Sequence, residues 1–236
     1  MLARVQHTLD EERRFAANAS HELRTPLTII RTIVEVAQAD PAGRDVDTVL
    51  DRIGTTNDRA VALTEALLTL ARAGRGADIE REPVDLAALA AAAVDEVQAD
   101  AAAAGIRFES SLAPAVLTGN RTLLEQLATN LLQNAVAHNQ PGGRVFVATM
   151  SPSRRSAVLT VANTGAVIDT ASAATLTEPF VRGGGRVRGR GDGAGLGLAI
   201  VASIVRAHGG ALEVAPGAEG GLQVRVTLPV TASVAR

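Results

Sequence analysis

In the first third of the chain, apolar or small residues fall at Ala16, Ser20, Leu23, Leu27, Ile30, Val34 and Ala37, alternately four and three apart. That is the heptad rhythm of a helix that packs against other helices. Pro26 lies inside this helix, removes one backbone donor and predicts a local kink. The run Asp40-Pro41-Ala42-Gly43 predicts its end. A second helix follows, with Val46, Leu50, Ile53, Ala60, Leu67 and Ala71 in a similar rhythm. Two such helices cannot bury both seams alone, whereas two copies of the pair close into a four-helix bundle. A homodimer is therefore expected.

Residues 74–80 (GRGADIE) read as a linker, and from about residue 81 the rhythm changes. Runs with β-branched residues in partial alternation predict strands at 106–112, 144–150, 156–162, 211–215 and 222–228. Helical patterns cover 85–104, 120–138 and 196–208. Strands and helices do not follow a strict βαβ order, which predicts an α+β sandwich rather than a doubly wound sheet. The stretch 181–195 (VRGGGRVRGRGDGAG) reads as a mobile, glycine- and arginine-rich loop. Three parts follow: a helical hairpin over 1–73, a linker over 74–80 and the sandwich over 81–236.

Composition narrows the chemistry. The chain has 236 residues, 47% hydrophobic and 20% charged, enough to bury the cores of two small domains. A net charge of −2 and four aromatic residues, all Phe, argue against nucleic-acid binding. The absence of cysteine excludes disulfides, thiol nucleophiles and Cys-ligated zinc. All 23 basic residues are arginine, so neither a Schiff-base lysine nor a P-loop lysine exists. No apolar run approaches the ~20 residues that span a bilayer and no signal peptide opens the chain, so no membrane contact is expected.

The seam through Ser20 and Leu23 puts His21 one step outside it, on the outer flank. Glu22 lies beside it, and Thr25, four residues on, shares its face. An exposed imidazole with an adjacent carboxylate suits nucleophilic work, because the carboxylate holds one ring nitrogen protonated and leaves the other free to attack. Farther on, Asn130 and Asn134 lie four apart on one predicted helix face, where an amide oxygen is a hard ligand of the kind Mg²⁺ prefers. Gly193, Gly195 and Gly197 open another helix, where backbone N–H groups and the helix dipole favour phosphate.

The string FAANASHELRTPLTIIRT (Phe15–Thr32) resembles the H-box of the histidine kinase dimerisation and phosphotransfer domain. LLEQLATNLLQNAVAHN (123–139) resembles the N-box of the ATP-binding domain shared by histidine kinases, DNA gyrase B, Hsp90-type chaperones and MutL. VANTGAVI (161–168) stands where that family's G1 box belongs, TEPFVRG (177–183) resembles its F-box, and GDGAGLGLAI (191–200) its G2 box. The resemblance implies a sensor histidine kinase: a helical hairpin forming a dimeric four-helix bundle, then an α+β ATP-binding sandwich. It implies ATP and Mg²⁺ as cofactors and a response regulator receiver domain as partner. It also implies a cytoplasmic location, within a longer protein anchored in the cell membrane.

The resemblance likewise assigns roles. His21 accepts the γ-phosphoryl group, Glu22 is the general base, and Thr25 helps position water when phosphate is removed from the regulator. Asn134 holds the Mg²⁺ with Asn130 supporting it, and the nucleotide lies among His138, Asn163, Gly165, Phe180, Arg182, Gly193, Gly195, Leu196 and Gly197. The sequence departs from the family pattern in the G1 box, where Asn163 replaces an aspartate and Val167 a glycine. It departs again after the N-box, where Ala137 and His138 leave the usual cation missing. One of Arg182, Arg186, Arg188 and Arg190 is expected to supply that charge. Two other readings compete. A hydrolytic ATPase needs a glutamate four residues before the metal-binding asparagine, and Asn130 stands there. A non-catalytic dimeric scaffold would account for Asn163, Val167 and Ala137, but not for an intact His21, Glu22 and Asn134.

Overall fold

The structure, a computed structural model, describes residues 2–40, 45–74, 80–181 and 195–230. It divides into two compact units, Met1–Thr69 and Leu70–Arg236.

The first unit is a helical hairpin of α1 (Leu2–Ala39) and α2 (Val46–Gly74). Helix α1 runs unbroken through Pro26. The turn expected at 41–44 and linker residues 75–79 lie outside the described residues, and Gly74 is the last residue of α2. One groove is lined by Leu23, Leu27, Ala60, Val61, Thr64 and Glu65, and a second by Val34, Ala37, Gln38, Val46, Val49 and Leu50. Early α1 thus meets late α2, and late α1 meets early α2, so the helices run antiparallel. Of the stripe predicted for α2, Ile53, Ala60 and Leu67 are partly covered, whereas Val46 and Leu50 are exposed; Val49, Thr56, Leu63 and Ala66 complete the covered side. Thr56 enters because its methyl is apolar while its hydroxyl bonds the Arg52 carbonyl at 2.7 Å.

The second unit holds a five-stranded sheet in the order β2–β4–β5–β7–β6, built from Arg107–Leu112, Arg144–Ser153, Ser156–Asn163, Leu222–Pro229 and Ala211–Pro216. Only β2 and β4 are parallel. A separate antiparallel pair joins β1 (Glu82–Asp85) to β3 (Val116–Gly119). Helices α3 (Leu86–Ala103), α4 (Arg121–Ala137) and α6 (Gly197–Ala207) are capped by Asp85, Asn120 and Leu196 at their starts and by Ala104, His138 and His208 at their ends. A short α5 spans Thr170–Thr175. The register puts Val145, Val147, Leu159, Val161, Val224, Val226 and Leu228 on one face of the sheet, all buried. Helices α3, α4 and α6 bury Leu89, Val97, Leu124, Leu127, Leu131, Leu132, Ile200 and Ile204. The unit is therefore an α+β sandwich, with α4 and α6 in contact.

Candidate functional site

On α1, His21 is exposed, Glu22 half-buried and Thr25 exposed. Thr25 donates its hydroxyl to the His21 carbonyl at 3.1 Å, so the two residues share a face one turn apart. Pro26 has no N–H, which leaves the Glu22 carbonyl without its helical donor and loosens the backbone at this turn. The arrangement presents an accessible imidazole beside a carboxylate, as a nucleophile requires.

In the second unit, the N-cap Asn120 fixes where α4 begins by accepting from the Leu123 N–H at 2.9 Å. That start puts Asn130 and Asn134 one turn apart. The Asn130 amide donates to the Gln126 carbonyl at 2.7 Å. The Asn134 Nδ2 is buried with no partner, the one side-chain atom of that kind among the described residues. A buried amide left unsatisfied costs free energy, and binding sites are where such groups persist. Its neighbour is Gly197, the first residue of α6: a Cβ there would stand 2.5 Å from Asn134 Nδ2 and 3.1 Å from Oδ1. Only glycine lets the two helices approach so closely.

The start of α6 is held by an unusual pair. The Phe180 N–H donates to the Gly195 carbonyl at 3.0 Å, and both residues have positive φ, 68° and 69°. For glycine that conformation is free; for phenylalanine it is strained, as happens where a chain is held for function. Leu196 is buried, and Gly195 packs on the Phe180–Val181 backbone. Arg182, Arg186, Arg188, Arg190 and Gly193 lie outside the described residues.

At the end of β5, Asn163 turns its amide onto its own surroundings. Nδ2 donates to the Thr164 carbonyl at 2.7 Å, and Oδ1 accepts from the Leu222 N–H at 3.4 Å. A Cβ at Gly165 would stand 2.7 Å from the carbonyl of His138, the exposed C-cap of α4, and 3.4 Å from Asn163 Nδ2. Val167, at the position of the family's second glycine, is 91% exposed. The fold therefore gathers Asn163, Gly165, His138, Asn134, Gly197, Leu196, Gly195 and Phe180 along one continuous line.

Sequence reasoning passed over the groups that brace this line. The Thr164 hydroxyl donates to Asn139 Oδ1 at 2.7 Å and accepts from the Arg144 N–H at 2.8 Å. Arg144 bonds Glu219 at 2.5 Å and reaches Glu109 at 3.4 Å, which hold its guanidinium above the usual arginine range. His208 was not singled out either; it is only the last residue of the helix predicted over 196–208. The asparagine next to His138 and the imidazole before two glycines were the signals available.

A metal at this site fits Asn134. Among the described residues no three His, Cys, Asp or Glu side chains cluster, so an all-protein cage is absent. An amide oxygen combined with nucleotide phosphates and water is the donor set Mg²⁺ accepts.

Two family models match separate stretches of the chain. Residues 11–76 match the model of the His Kinase A (phospho-acceptor) domain, and residues 119–232 that of the histidine kinase-, DNA gyrase B- and HSP90-like ATPases. Sensor protein CutS of Streptomyces coelicolor is 46% identical over 98% of this chain. This chain spans 56% of that relative's length, little more than half. Among solved structures, the mycobacterial sensor histidine kinase MprB is 30% identical with a TM-score of 0.56, covering 64% of this chain and 97% of its own. Full-length ShkA, solved in complex with AMPPNP, is 25% identical with a TM-score of 0.66, over 92% of this chain and 46% of its own.

Proposed function

The chain belongs to the sensor histidine kinases of two-component systems, and on that premise we propose that it phosphorylates its own His21 from ATP as a homodimer. It then passes the phosphoryl group to an aspartate of a response regulator receiver domain. The observation that carries this reading is Asn134, whose buried, unsatisfied amide faces Gly197 at the start of α6.

The chemistry follows from the residues. The unprotonated ring nitrogen of His21 attacks the γ-phosphorus as the bond to the ADP oxygen breaks, and Glu22 takes the proton from the other ring nitrogen. Asn134 would hold the Mg²⁺, with Asn130 one turn behind it; the ion supplies charge neutralisation at the phosphates. Backbone N–H groups at Gly195 and Gly197, and at Gly193 by the resemblance, would meet phosphate oxygens, where the α6 dipole favours negative charge. The adenine would lie beside Gly165 and Asn163, whose Oδ1 keeps a second lone pair beyond its long bond from the Leu222 N–H, with His138 and Leu196 along the same wall and Phe180 before the chain that leads to Arg182. An arginine of 182–190 balances the γ-phosphate charge. With Thr25 positioning water, the same helix removes phosphate from the regulator.

We take residues 1–73 as the dimerisation and phosphotransfer domain, 74–80 as the linker and 81–236 as the catalytic domain. Among the described residues no helix is long and apolar enough to cross a membrane. We place this part in the cytoplasm of a longer, membrane-anchored protein.

The test is incubation with Mg²⁺ and γ-labelled ATP beside His21→Ala. Acid-labile, alkali-stable label that the variant lacks is the expected result. No label on a folded wild-type chain would overturn the reading in favour of a non-catalytic scaffold.

A further inference from the structure

We propose that His208 is a positioning residue: it locks the start of α4 to the end of α6, at a knot that Asn120 and the Ala207 carbonyl extend to the segment at Glu80–Arg81 by which the chain enters the second unit. The functional half of this inference rests on the kinase reading above, while the lock itself stands on geometry alone.

His208 is 4% exposed and closes α6. Its Nδ1 lies 2.8 Å from the Ile204 carbonyl, which has no hydrogen to give, so Nδ1 carries the proton. Its Nε2 is then an acceptor, and the Asn120 N–H donates to it at 3.1 Å. That N–H belongs to the residue that starts α4, and it has no helical acceptor of its own. The same Asn120 donates its Nδ2 to the Glu80 carbonyl at 3.1 Å. Arg81 donates Nη2 to the Ala207 carbonyl at 3.1 Å, one residue before His208. Four short bonds thus tie the start of α4, the end of α6 and residues 80–81 into one knot.

The other end of the α4–α6 contact is the nucleotide site. There Gly197, at the start of α6, meets Asn134, near the end of α4. The two helices run antiparallel, with the His208 knot at one end and the Asn134–Gly197 approach at the other. Packed helices are stiff, so the register set at the knot is the register delivered to Asn134. The segment following the linker grips both helices at this knot, which makes it a place where strain in the linker can reach the site. The ring is closely packed there: a Cβ on Gly119 would stand 3.1 Å from both His208 Nε2 and Cδ2.

The lock is also built to open with acid. A proton on Nε2 would turn the acceptor into a donor facing the Asn120 N–H. The neighbours contributed by β3 and α4 are Gly119, Asn120 and Leu124, all uncharged. On its own helix the nearest charge is Arg206, and from the entering segment it is Arg81 with Glu80. Among the described residues no carboxylate bonds the ring to welcome the proton.

The experiment uses the full chain and reads two things: amide hydrogen exchange without nucleotide, and the dissociation constant of ATP from pH 7.5 to 5.5. His208→Phe removes both ring nitrogens, and His208→Gln restores an acceptor that does not titrate. Loss of one buried hydrogen bond predicts that His208→Phe weakens ATP by about tenfold at pH 7.5. It also loses exchange protection in α4 and α6 but not in β4, β5 and β7. His208→Gln is expected to stay near wild-type affinity and to lose the acid weakening that wild type shows. If His208→Phe fails to fold, the comparison of wild type with His208→Gln across pH decides. Unchanged exchange in the two helices of a folded His208→Phe overturns the lock, as does the same pH profile in wild type and His208→Gln. If wild type binds no ATP at all, the kinase reading fails and exchange alone judges the lock.

Discussion

Leu27 and Leu50 of the helical unit stand 62% and 61% exposed, and Val61 stands 48% exposed, whereas Leu124, Leu127 and Leu132 of the second unit are completely buried. Both units have enough apolar residues for a core, and only the second has closed one within a single chain. Its sheet offers a broad face that three helices cover. A two-helix hairpin can bury one stripe per helix, and each helix here carries more than one. The difference teaches where each unit draws its stability. The second unit carries its own, and the helical unit leaves apolar stripes that a second copy of itself would cover in the homodimer we propose.

The largest effects expected separate the two units by chemistry. His21→Ala should abolish label incorporation yet bind ATP like wild type. Asn134→Ala should slow labelling by about a hundredfold or more, the scale of losing one positioned electrostatic contact at a transferring group. Titration of ATP together with labelling checks both. If Asn134→Ala bound and labelled normally, the site would have to be sought elsewhere on the second unit.

Next in size are truncations of packing. Leu131→Ala in α4 should cost the second unit about 2–5 kcal/mol, since a fully packed leucine leaves a cavity that a rigid core cannot refill. The change should leave the association state untouched in sedimentation or light scattering. The reverse is expected for Leu27→Asp with Val61→Asp. Each side chain contributes about 1.5–3 kcal/mol once covered, so the pair should dissociate the dimer and make helical melting independent of concentration. A double variant that remained dimeric would break the comparison, because the exposed stripes would then not be the interface.

Much of this was legible beforehand, for identifiable reasons. The three long helices of the second unit were read with ranges, 85–104, 120–138 and 196–208, that begin and end on the flanking residues the fold shows. The five sheet strands were found because β-branched residues alternate along them. Strands β1 and β3 were missed: each has four residues, too few for a period to show, and Pro83 sits in one of them. Helix α5 has only six residues. In α2 the stripe was right at Ile53, Ala60 and Leu67 and wrong at Val46 and Leu50, because Val49 and Thr56 offered no stronger apolar signal than the leucine and valine beside them. The glycines and asparagines of the site could be picked out by spacing. The contact between Asn134 and Gly197 could not, because it joins residues 63 positions apart through packing. The His208 knot was hidden for the same reason.

The smallest effect expected is a slope with pH, and it too should divide the units. Burial pushes the His208 pKa below the ordinary 6.5, the bond to the Ile204 carbonyl opposes this, and the Arg81 charge adds to the lowering. Below pH 6.5 the unfolded imidazole takes up a proton that the folded one refuses, so unfolding gains free energy as the pH falls. The contribution of His208 is therefore complete above pH 6.5 and is lost progressively through lower pH. Other shifted groups do not interfere in this window. Asp45 and Asp169 are held below their usual range by the Thr48 and Ser172 hydroxyls, so their contributions fade only under about pH 4. Melting wild type and His208→Gln between pH 7.5 and 5 should show the second unit losing stability in the first and holding steadier in the second. The helical unit should melt alike in both. A wild-type profile as flat as that of His208→Gln would mean that the buried ring is protonated in the fold after all, and that the bond from Asn120 does not set its charge.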